Sequence, residues 1–287
     1  IGPWILNSSG TRHYANMAQP NQLASLLLLG FLGCGWGYWR RLIGPVTAIC
    51  GAALFLLGVT LTESRTAWIN VLFFLCAALF WRKSLPSKGY LWSVMGLALF
   101  FAIFVLNLPA INIYFGGAVP VEYRSTTGDP RWIAWVMFFK AISFQPWFGF
   151  GWGQLGHAQF LMMNEHIALG GSFLQAHNLF IDLMLWNGVP IGLGIGAAIV
   201  WWFWTVLKSI HNFQQLVLTC FVLVLGTHAM LEYPLQYAYF LLPTGLVMGC
   251  LNTSLELKSF KVKSKWPAAT VLALSTVTLA ITIRDYF

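Results

Sequence analysis

Residues 175–208 read QAHNLFIDLMLWNGVPIGLGIGAAIVWWFWTVLK, a short polar segment followed by a long apolar one. Between Leu179 and Leu207 the only ionisable side chain is Asp182, and this run exceeds the roughly 20 residues with which a helix crosses a bilayer. His177 therefore lies where a polar segment meets a membrane-spanning one. Histidine is the side chain whose ordinary pKa, about 6.5, allows it to take and return a proton near neutral pH. The segment predicts a titratable group at a membrane surface.

The composition of the whole chain is that of an integral membrane protein. Of the 287 residues, 58% are hydrophobic and only 8% are charged, whereas a soluble domain has about 25% charged residues. Eight apolar windows approach the length of a membrane-spanning helix. They are Leu23–Tyr38, Leu42–Leu61, Ala67–Trp81, Tyr90–Leu108, Val189–Leu207, Leu216–Leu231, Leu235–Leu251 and Trp266–Ile283. We therefore predict an all-α integral membrane protein with about eight transmembrane helices.

The windows form a single polytopic membrane domain, residues 1–287, with one large embedded loop at residues 109–177. The segment from Ile1 to Gln22 has neither the basic start nor the apolar stretch of a signal peptide. We expect this chain to be a fragment of a longer one.

The basic residues are distributed unequally between the two sides of the predicted bundle. Ten of the sixteen fall in alternate loops, which the positive-inside rule assigns to the cytoplasm. These ten are Arg40, Arg41, Arg82, Lys83, Lys88, Lys208, Lys258, Lys261, Lys263 and Lys265. The loop at residues 109–177 then faces the periplasm. The net charge of +8 reflects this topology and attraction to anionic lipids, and it gives no reason to invoke nucleic acid.

The cysteines and histidines do not predict a metal site. All five cysteines fall within or at the ends of apolar windows, without CxxC spacing, so we expect buried free thiols. The six histidines contain no HExxH pattern, which leaves metal-dependent hydrolysis without support.

The large loop is predicted to contain one short helix. Asp129 and Pro130 are typical of an N-cap and a first helical position, and the helix should run to about Ser143. Residues 132–139 are mostly apolar, so this helix should lie at the membrane interface or pack on the bundle. Arg131 would lie at its N-terminus, where an anion is favoured. The alternative is an arginine that reaches out of an aromatic belt towards the head groups.

Residues 62–66, Thr-Glu-Ser-Arg-Thr, form a very short outer turn between two apolar windows. Charged groups at this depth are costly unless they are paired or functional. Two alternatives stay open for Arg65. Either it pairs with its neighbour Glu63, or it enters an outer cavity, where its planar donors suit a pyrophosphate.

Three glycines alternate with aromatic residues in Phe-Gly-Phe-Gly-Trp-Gly, residues 148–153. A phosphate-binding loop is not indicated, because no strand precedes the glycines and no Gly-Lys-Ser/Thr follows them. We expect these glycines to allow tight turns beneath the aromatic side chains.

The apolar run after His177 is interrupted at residues 187–190, Asn-Gly-Val-Pro, and this break leaves His177 at the outer mouth of the bundle. Asp182 lies about 140° around a continuous helix from His177, so it is not an obvious partner. Glu232, at the outer end of another helix just before Pro234, is the best acidic group to orient the imidazole. Alternatively, His177 is an interfacial residue without a catalytic role.

Several motifs occur in a particular order along the chain. They are Arg12 with Ala18-Gln19-Pro20-Asn21-Gln22-Leu23-Ala24, Ser64-Arg65-Thr66-Ala67-Trp68, Arg131-Trp132, Pro146-Trp147-Phe148-Gly149-Phe150-Gly151-Trp152-Gly153 and His177-Asn178-Leu179-Phe180. Their order resembles the O-antigen ligase superfamily over nearly the whole chain. Within it, the Gln-Pro-Asn motif and Glu232-Tyr233-Pro234-Leu235 are similar to the PglL-type protein O-oligosaccharyltransferases.

This resemblance implies a fold of the type C glycosyltransferase kind and a location in the bacterial inner membrane with the active site facing the periplasm. It implies transfer of a glycan from undecaprenyl pyrophosphate to a serine or threonine hydroxyl of pilin or another exported protein. Neither a cofactor, a nucleotide sugar nor a metal ion is expected.

The resemblance also implies roles for individual residues. His177 matches the loop histidine of the family, and Arg65 and Arg131 match its essential arginines as pyrophosphate ligands. Possible supporting residues are Glu232, Arg124, Arg12 and Asn178. The rival activities are an O-antigen ligase acting on lipid A core, an O-antigen polymerase, and a transporter or flippase of an anionic lipid-linked glycan. A transporter would be expected to show broken helices in two similar halves, and Gly188 to Gly196 has no such counterpart.

Overall fold

The computed structural model describes residues 12–110, 130–163, 171–256 and 264–286, and all regular secondary structure within these ranges is helical. The predicted all-α class is therefore confirmed. The α-helices, numbered in chain order, are α1 Pro20–Trp39, α2 Pro45–Leu61, α3 Arg65–Phe80, α4 Lys88–Leu106, α5 Pro130–Ala141, α6 Leu155–Leu161, α7 Leu179–Lys208, α8 Phe213–Ala229, α9 Ala238–Ser254 and α10 Trp266–Tyr286. Short 3₁₀ segments include Ile142–Phe144 after α5 and Pro234–Gln236 before α9.

Each of the eight predicted windows coincides with one of these helices, namely α1 to α4 and α7 to α10. In the described part of the chain, α4 and α7 are long and apolar enough to cross a membrane by length and composition. Helices α2, α3 and α8 are apolar but shorter. These features agree with a membrane protein, and the number of eight spans stays a prediction.

Several helices begin at a residue whose side chain caps the first turn. Ser64 accepts a hydrogen bond from the backbone of Ala67 at the start of α3, and Asn212 caps α8 in the same way. Pro20 and Pro45 each occupy the first position of a helix, where the missing N–H costs nothing. The starts of these four helices are thus determined locally.

Buried side chains form three groups that hold the bundle together. The largest joins α1, α2, α3, α4 and α8, with Leu28 and Phe74 among its members. A second joins α5, α6 and the start of α7 through residues such as Phe138 and Leu185. The third packs α7 on α8 and α9 around Val206. The second group attaches the embedded loop to the bundle beside His177.

Helix α7 is broken at Gly188, whose φ of 79° and ψ of 168° are not helical. Pro190 follows, and because proline has no N–H it cannot bond the carbonyl of Trp186 four residues earlier. The break therefore frees carbonyls in the preceding turn. The interruption predicted at residues 187–190 is confirmed.

The loop before α6 satisfies these freed groups. Three backbone hydrogen bonds join the loop to the break: Phe150 N to Leu185 O at 2.6 Å, Gly151 N to Trp186 O at 3.2 Å, and Val189 N to Pro146 O at 2.7 Å. The stacked indoles of Trp152 and Trp186 cover the junction, with ring centroids 4.4 Å apart.

Gly149, Gly151 and Gly153 all have positive φ, at 70°, 92° and 73°. At Gly149 an added Cβ would lie 2.5 Å from the carbonyl oxygen of Leu185 and 2.6 Å from the backbone nitrogen of Gly188. The expectation of tight turns is thus confirmed, and at Gly149 the chain also needs the close backbone approach that only glycine allows.

The expectation of buried thiols is wrong for three of the five cysteines. Cys220 is buried and Cys34 partly so, but Cys50, Cys76 and Cys250 are exposed on the outer sides of their helices. Helices that are apolar on all sides do not reveal which side faces protein and which faces lipid.

An apolar cavity of about 240 Å³ lies between α1, α2, α3, α4 and α8. Its lining includes Tyr38, Tyr90 and Phe213, which lie at the end of the bundle far from His177. The candidate site described below is not part of this cavity.

Candidate active site

The candidate site is centred on the buried carboxylate of Glu232, in the turn that follows α8. Its backbone N–H donates to the carbonyl of His228 at 2.9 Å, and only 6% of the residue is exposed. Oε1 accepts hydrogen bonds from Asn21 Nδ2 at 3.0 Å and from the guanidinium of Arg131. Oε2 lies 2.9 Å from His177 Nδ1. One carboxylate thus joins three distant parts of the chain.

Helices α1 and α8 meet beneath this carboxylate in two successive layers. Asn21 bonds Glu232 in the outer layer, and one turn deeper Ser25 Oγ lies 2.8 Å from His228 Nδ1. Asn21 and Ser25 are four positions apart on α1 and share one face, and the Glu232 N–H bonds the carbonyl of His228, so these two residues also lie one turn apart. The local sequence prepares this arrangement, because the side chain of Gln19 caps α1 by accepting from the backbone of Gln22 at 2.9 Å.

Arg12 connects Asn21 to the turn between α2 and α3. Its Nη2 donates to Asn21 Oδ1 at 3.2 Å, and its Nε donates to the carbonyl of Thr62 at 2.9 Å. Arg65 begins α3 three residues after Thr62 and is exposed. Arg65 therefore lies at the same end of the bundle as the Glu232 carboxylate.

His177 occupies a turn held in an unusual conformation. Its φ is +56°, a left-handed value that costs a residue with a Cβ roughly 1–2 kcal/mol. Two contacts maintain it: Asn178 caps α7 through the N–H groups of Phe180 and Ile181, and Asp182 Oδ1 accepts from the backbone of Ala176 at 2.7 Å.

The imidazole of His177 is also enclosed by aromatic rings. Phe173 and Tyr233 contact it edge-on, with centroids 5.9 and 5.1 Å away. Because Nδ1 faces the acceptor Glu232, the neutral form of the imidazole has its proton on this nitrogen and its lone pair on Nε2. In the described part of the chain, nothing donates a hydrogen bond to Nε2.

The charge of Glu232 is stabilised by its neighbours. Burial by itself would raise the pKa of this carboxyl, but the hydrogen bond of His177 and the charge of Arg131 outweigh it, so the pKa is lowered from its ordinary value. Burial and the adjacent Tyr237 raise the pKa of the Tyr233 hydroxyl, which therefore stays neutral beside the imidazole. The site contains an ionised carboxylate between a cation and a histidine.

The structure brings together four of the residues predicted from the sequence. Arg12, Arg131, His177 and Glu232 belong to one hydrogen-bonded group. Asn178 adjoins it and donates to the carbonyl of Met230 at 3.3 Å.

The remaining predicted features are located as follows. Arg65 lies near the group by its position at the start of α3. The helix predicted after Asp129 is observed as α5 and the 3₁₀ turn that follows it, whereas Arg124 and Asp129 lie outside the described residues. Among the described residues, no three His, Cys, Asp or Glu side chains are arranged to hold a metal ion.

Two members of the site were not predicted as site residues. Asn21 is part of the Gln-Pro-Asn motif, whose polarity just inside an apolar helix was the available signal. Asp182 supports the backbone before His177, and its signal was a lone carboxylate in an otherwise apolar run.

Comparison with known proteins identifies the family. The profile described as O-Antigen ligase matches residues 50–196, just over half of the chain. The chain belongs to the O-antigen ligase family. Two further profiles match adjoining segments of this family member: Protein glycosylation ligase at residues 14–36, and Virulence factor membrane-bound polymerase, C-terminal, at residues 215–286. The predicted superfamily is thus confirmed.

Two relatives from Acinetobacter baylyi are similar to this member of the O-antigen ligase family. A general O-oligosaccharyltransferase is 32% identical over 99% of this chain and 51% of its own length. A ComP-specific O-oligosaccharyltransferase is 35% identical over 86% of this chain and 45% of its own length. The chain spans about half the length of these relatives. The likeness to the protein O-oligosaccharyltransferases, predicted from the Gln-Pro-Asn motif, is confirmed.

Proposed function

We propose that the protein containing this chain is a membrane oligosaccharyltransferase. It moves an oligosaccharide from undecaprenyl pyrophosphate to a serine or threonine hydroxyl of a periplasmic protein such as pilin. The observation that carries the proposal is the His177–Glu232–Arg131 group, in a chain whose relatives are named O-oligosaccharyltransferases.

His177 acts as the general base in this mechanism. Its Nε2 takes the proton of the acceptor hydroxyl as the oxygen attacks the anomeric carbon. The new glycosidic C–O bond forms as the C–O bond to the pyrophosphate breaks, and the leaving group departs as undecaprenyl pyrophosphate. Direct displacement inverts the anomeric centre. Glu232 holds the imidazole by Nδ1 and stabilises the imidazolium that forms.

Arg131 and Arg65 bind the pyrophosphate. Negative charge accumulates on this group as the C–O bond breaks, so guanidinium groups stabilise the transition state more than the ground state. Arginine suits this role because it stays charged at every physiological pH and offers paired donors. The side chain of Arg131 is about one-third exposed although it pairs with Glu232.

The reaction takes place at the periplasmic face of the bacterial inner membrane. The positive-inside rule supports this orientation, because the ends of the helices near Arg40, Arg82 and Lys208 are basic and the candidate site lies at the other end. Donor, acceptor and surrounding lipid are then the partners of the protein.

The decisive experiment supplies the purified full-length protein with lipid-linked oligosaccharide and a pilin acceptor in detergent. We expect glycosylated pilin, detected by mass spectrometry. Replacing the base, His177→Ala, should reduce the rate by about 10²- to 10⁴-fold while donor binding is retained. The matched control is His157→Ala, which removes an exposed imidazole from α6.

Near-normal turnover of His177→Ala would exclude His177 as the base. Transfer in detergent without a membrane gradient would exclude a pure transporter. Product found only on lipid A core would instead identify a ligase of lipopolysaccharide.

A second candidate function is polymerisation of glycan repeat units. It is favoured by the match of residues 215–286 to the membrane-bound polymerase profile. A polymerase would extend the lipid-linked glycan when no protein acceptor is supplied. Incubation with donor alone, followed by analysis of glycan length, distinguishes the two activities.

A further inference from the structure

Asn21 is a buried polar residue that the mechanism above does not use. Only 5% of it is exposed, although it lies in the first turn of an apolar helix. Its Nδ2 donates to Glu232 Oε1 at 3.0 Å, across 211 residues of sequence. A buried amide requires partners for both of its ends, so its contacts determine how it is oriented.

Arg12 determines which end of the amide faces Glu232. Its guanidinium donates to Asn21 Oδ1 at 3.2 Å and is itself held by the carbonyl of Thr62 at 2.9 Å. A guanidinium has no acceptor and an ionised carboxylate has no donor. Rotating the amide by 180° would therefore oppose donor to donor and acceptor to acceptor. The observed orientation is the one that presents an N–H to Glu232.

Asn21 shares Oε1 of Glu232 with Arg131. In the proposed mechanism Arg131 also binds the pyrophosphate. Its hydrogen bond to Glu232 therefore weakens when the lipid-linked oligosaccharide binds. Asn21 has no such second duty, and it adds no charge that would compete for the pyrophosphate. It can keep the carboxylate in position throughout the reaction.

We propose that Asn21 is a positioning residue that keeps Glu232 aligned with His177 while Arg131 engages the donor. This inference rests on the proposed function. The uncharged amide of Asn21 donates a hydrogen bond to Oε1 of Glu232, while Oε2 remains directed at His177 Nδ1. Through Asn21, the Gln-Pro-Asn motif near the start of the chain thus helps to orient His177, the proposed base.

The groups that face Glu232 determine how the Glu232–His177 pair binds protons. Arg131 faces it from α5 and His228 from α8, whereas His177 lies in the turn before α7 and Tyr233 in the turn after α8. Asn21, bonded to Arg12, faces it from α1. Losing the Asn21 donor leaves the carboxylate less stabilised. The pair then binds a proton more readily, so it loses its ability to accept the proton of the acceptor hydroxyl at a higher pH.

The test compares Asn21→Ala and Asn21→Asp in the full-length protein, with pilin glycosylation followed against pH. We expect kcat to fall about ten-fold in Asn21→Ala, as for one hydrogen bond to a charged group, with the KM for the donor little changed. The acid limb of the profile should move to higher pH. It should move further in Asn21→Asp, because a second carboxylate then faces Glu232.

The control is Gln22→Ala, which removes the neighbouring buried amide. Gln22 accepts a hydrogen bond from the hydroxyl of Tyr239 instead of donating one to Glu232. This variant is expected to yield less folded protein with an unchanged pH profile. If Asn21→Ala behaves in the same way, Asn21 has a structural role only and the proposal is overturned.

A second measurement separates this proposal from the proposed function. The carboxyl band of Glu232, identified by its absence in Glu232→Gln, is titrated by infrared spectroscopy in the purified protein. We expect it to protonate at higher pH in Asn21→Ala, and an unchanged titration would refute the role of Asn21. This result is obtained even if the unmodified protein transfers no glycan, an outcome that counts against the proposed function alone.

Discussion

The carboxylate of Glu232 follows the C-terminal end of α8, where the helix dipole opposes a negative charge. Its ionised state depends on the hydrogen bond of His177 and the charge of Arg131, and Asn21 donates to the same carboxylate from a third part of the chain. The same contacts that orient the proposed base therefore also stabilise the fold. Substitutions at Glu232 should consequently affect both activity and stability.

The stability contributed by Glu232 should depend on pH. Its pKa in the folded protein is lowered from 4.5, so the contribution is complete above about pH 4.5 and is lost as the pH falls through the folded pKa. Glu232→Gln should reduce the thermal unfolding midpoint in detergent near neutral pH, and this difference should shrink on acidification. The control is Glu256→Gln, which changes an exposed carboxylate after α9. A difference that is constant with pH would contradict the prediction.

Arg65 provides a second test of individual side chains. Arg65→Lys keeps the positive charge but loses the paired donors that bind a pyrophosphate. We expect kcat/KM to fall by about ten-fold or more, because transition-state charge is held less well. Arg41→Lys, an exposed change at the other end of the bundle, should have no effect. Unchanged kinetics of Arg65→Lys would show that donor geometry at this position is unimportant.

At the scale of elements, the break in α7 and the loop that joins it form one unit. Pro190 and Gly188 interrupt the helix, and the loop supplies the backbone donors that the interruption requires. This unit carries the start of α7, and therefore the turn of His177. Distortion of the junction should therefore displace His177, although no side chain of the loop takes part in the proposed reaction.

Gly149 and Gly153 separate two effects of glycine within this element. Both have φ near +70°, so alanine at either position meets backbone strain of roughly 1–2 kcal/mol. Only at Gly149 would the new Cβ also collide with backbone, whereas nothing lies within 4 Å at Gly153. Gly149→Ala should thus lower the unfolding midpoint and the transfer rate more than Gly153→Ala. Equal effects in the two variants would argue against the close backbone approach.

The length and type of most elements could be predicted from the sequence, and their packing faces could not. Apolar windows and capping residues such as Ser64 and Asn178 mark helices because both act locally. The exposure of Cys50 and Cys76 was mispredicted because a helix in lipid is apolar on every side. Hydropathy therefore does not predict which face of such a helix packs against its neighbouring helices.

For the whole molecule, the alternation of basic loops makes a prediction about topology. Single cysteines at Ser84 and Ser143, in a variant whose native cysteines are replaced by alanine, report on the two ends of the bundle. We expect a membrane-impermeant thiol reagent to label Ser143→Cys in spheroplasts, and Ser84→Cys only after permeabilisation. The opposite pattern would reverse the orientation and remove the candidate site from the periplasm.

The sequence by itself determined the helical class, the approximate positions of the helices, the break at residues 187–190 and the family, because each follows from local composition or from motifs in order. Only the tertiary structure decided which polar residues meet. Asn21 and Glu232 are 211 positions apart, and their contact exists because α1 and α8 pack side by side. The orientation of the Asn21 amide depends in turn on Arg12 and on the turn at Thr62. A proton-accepting histidine was thus foreseeable, whereas the arrangement that orients it arises from packing between distant helices.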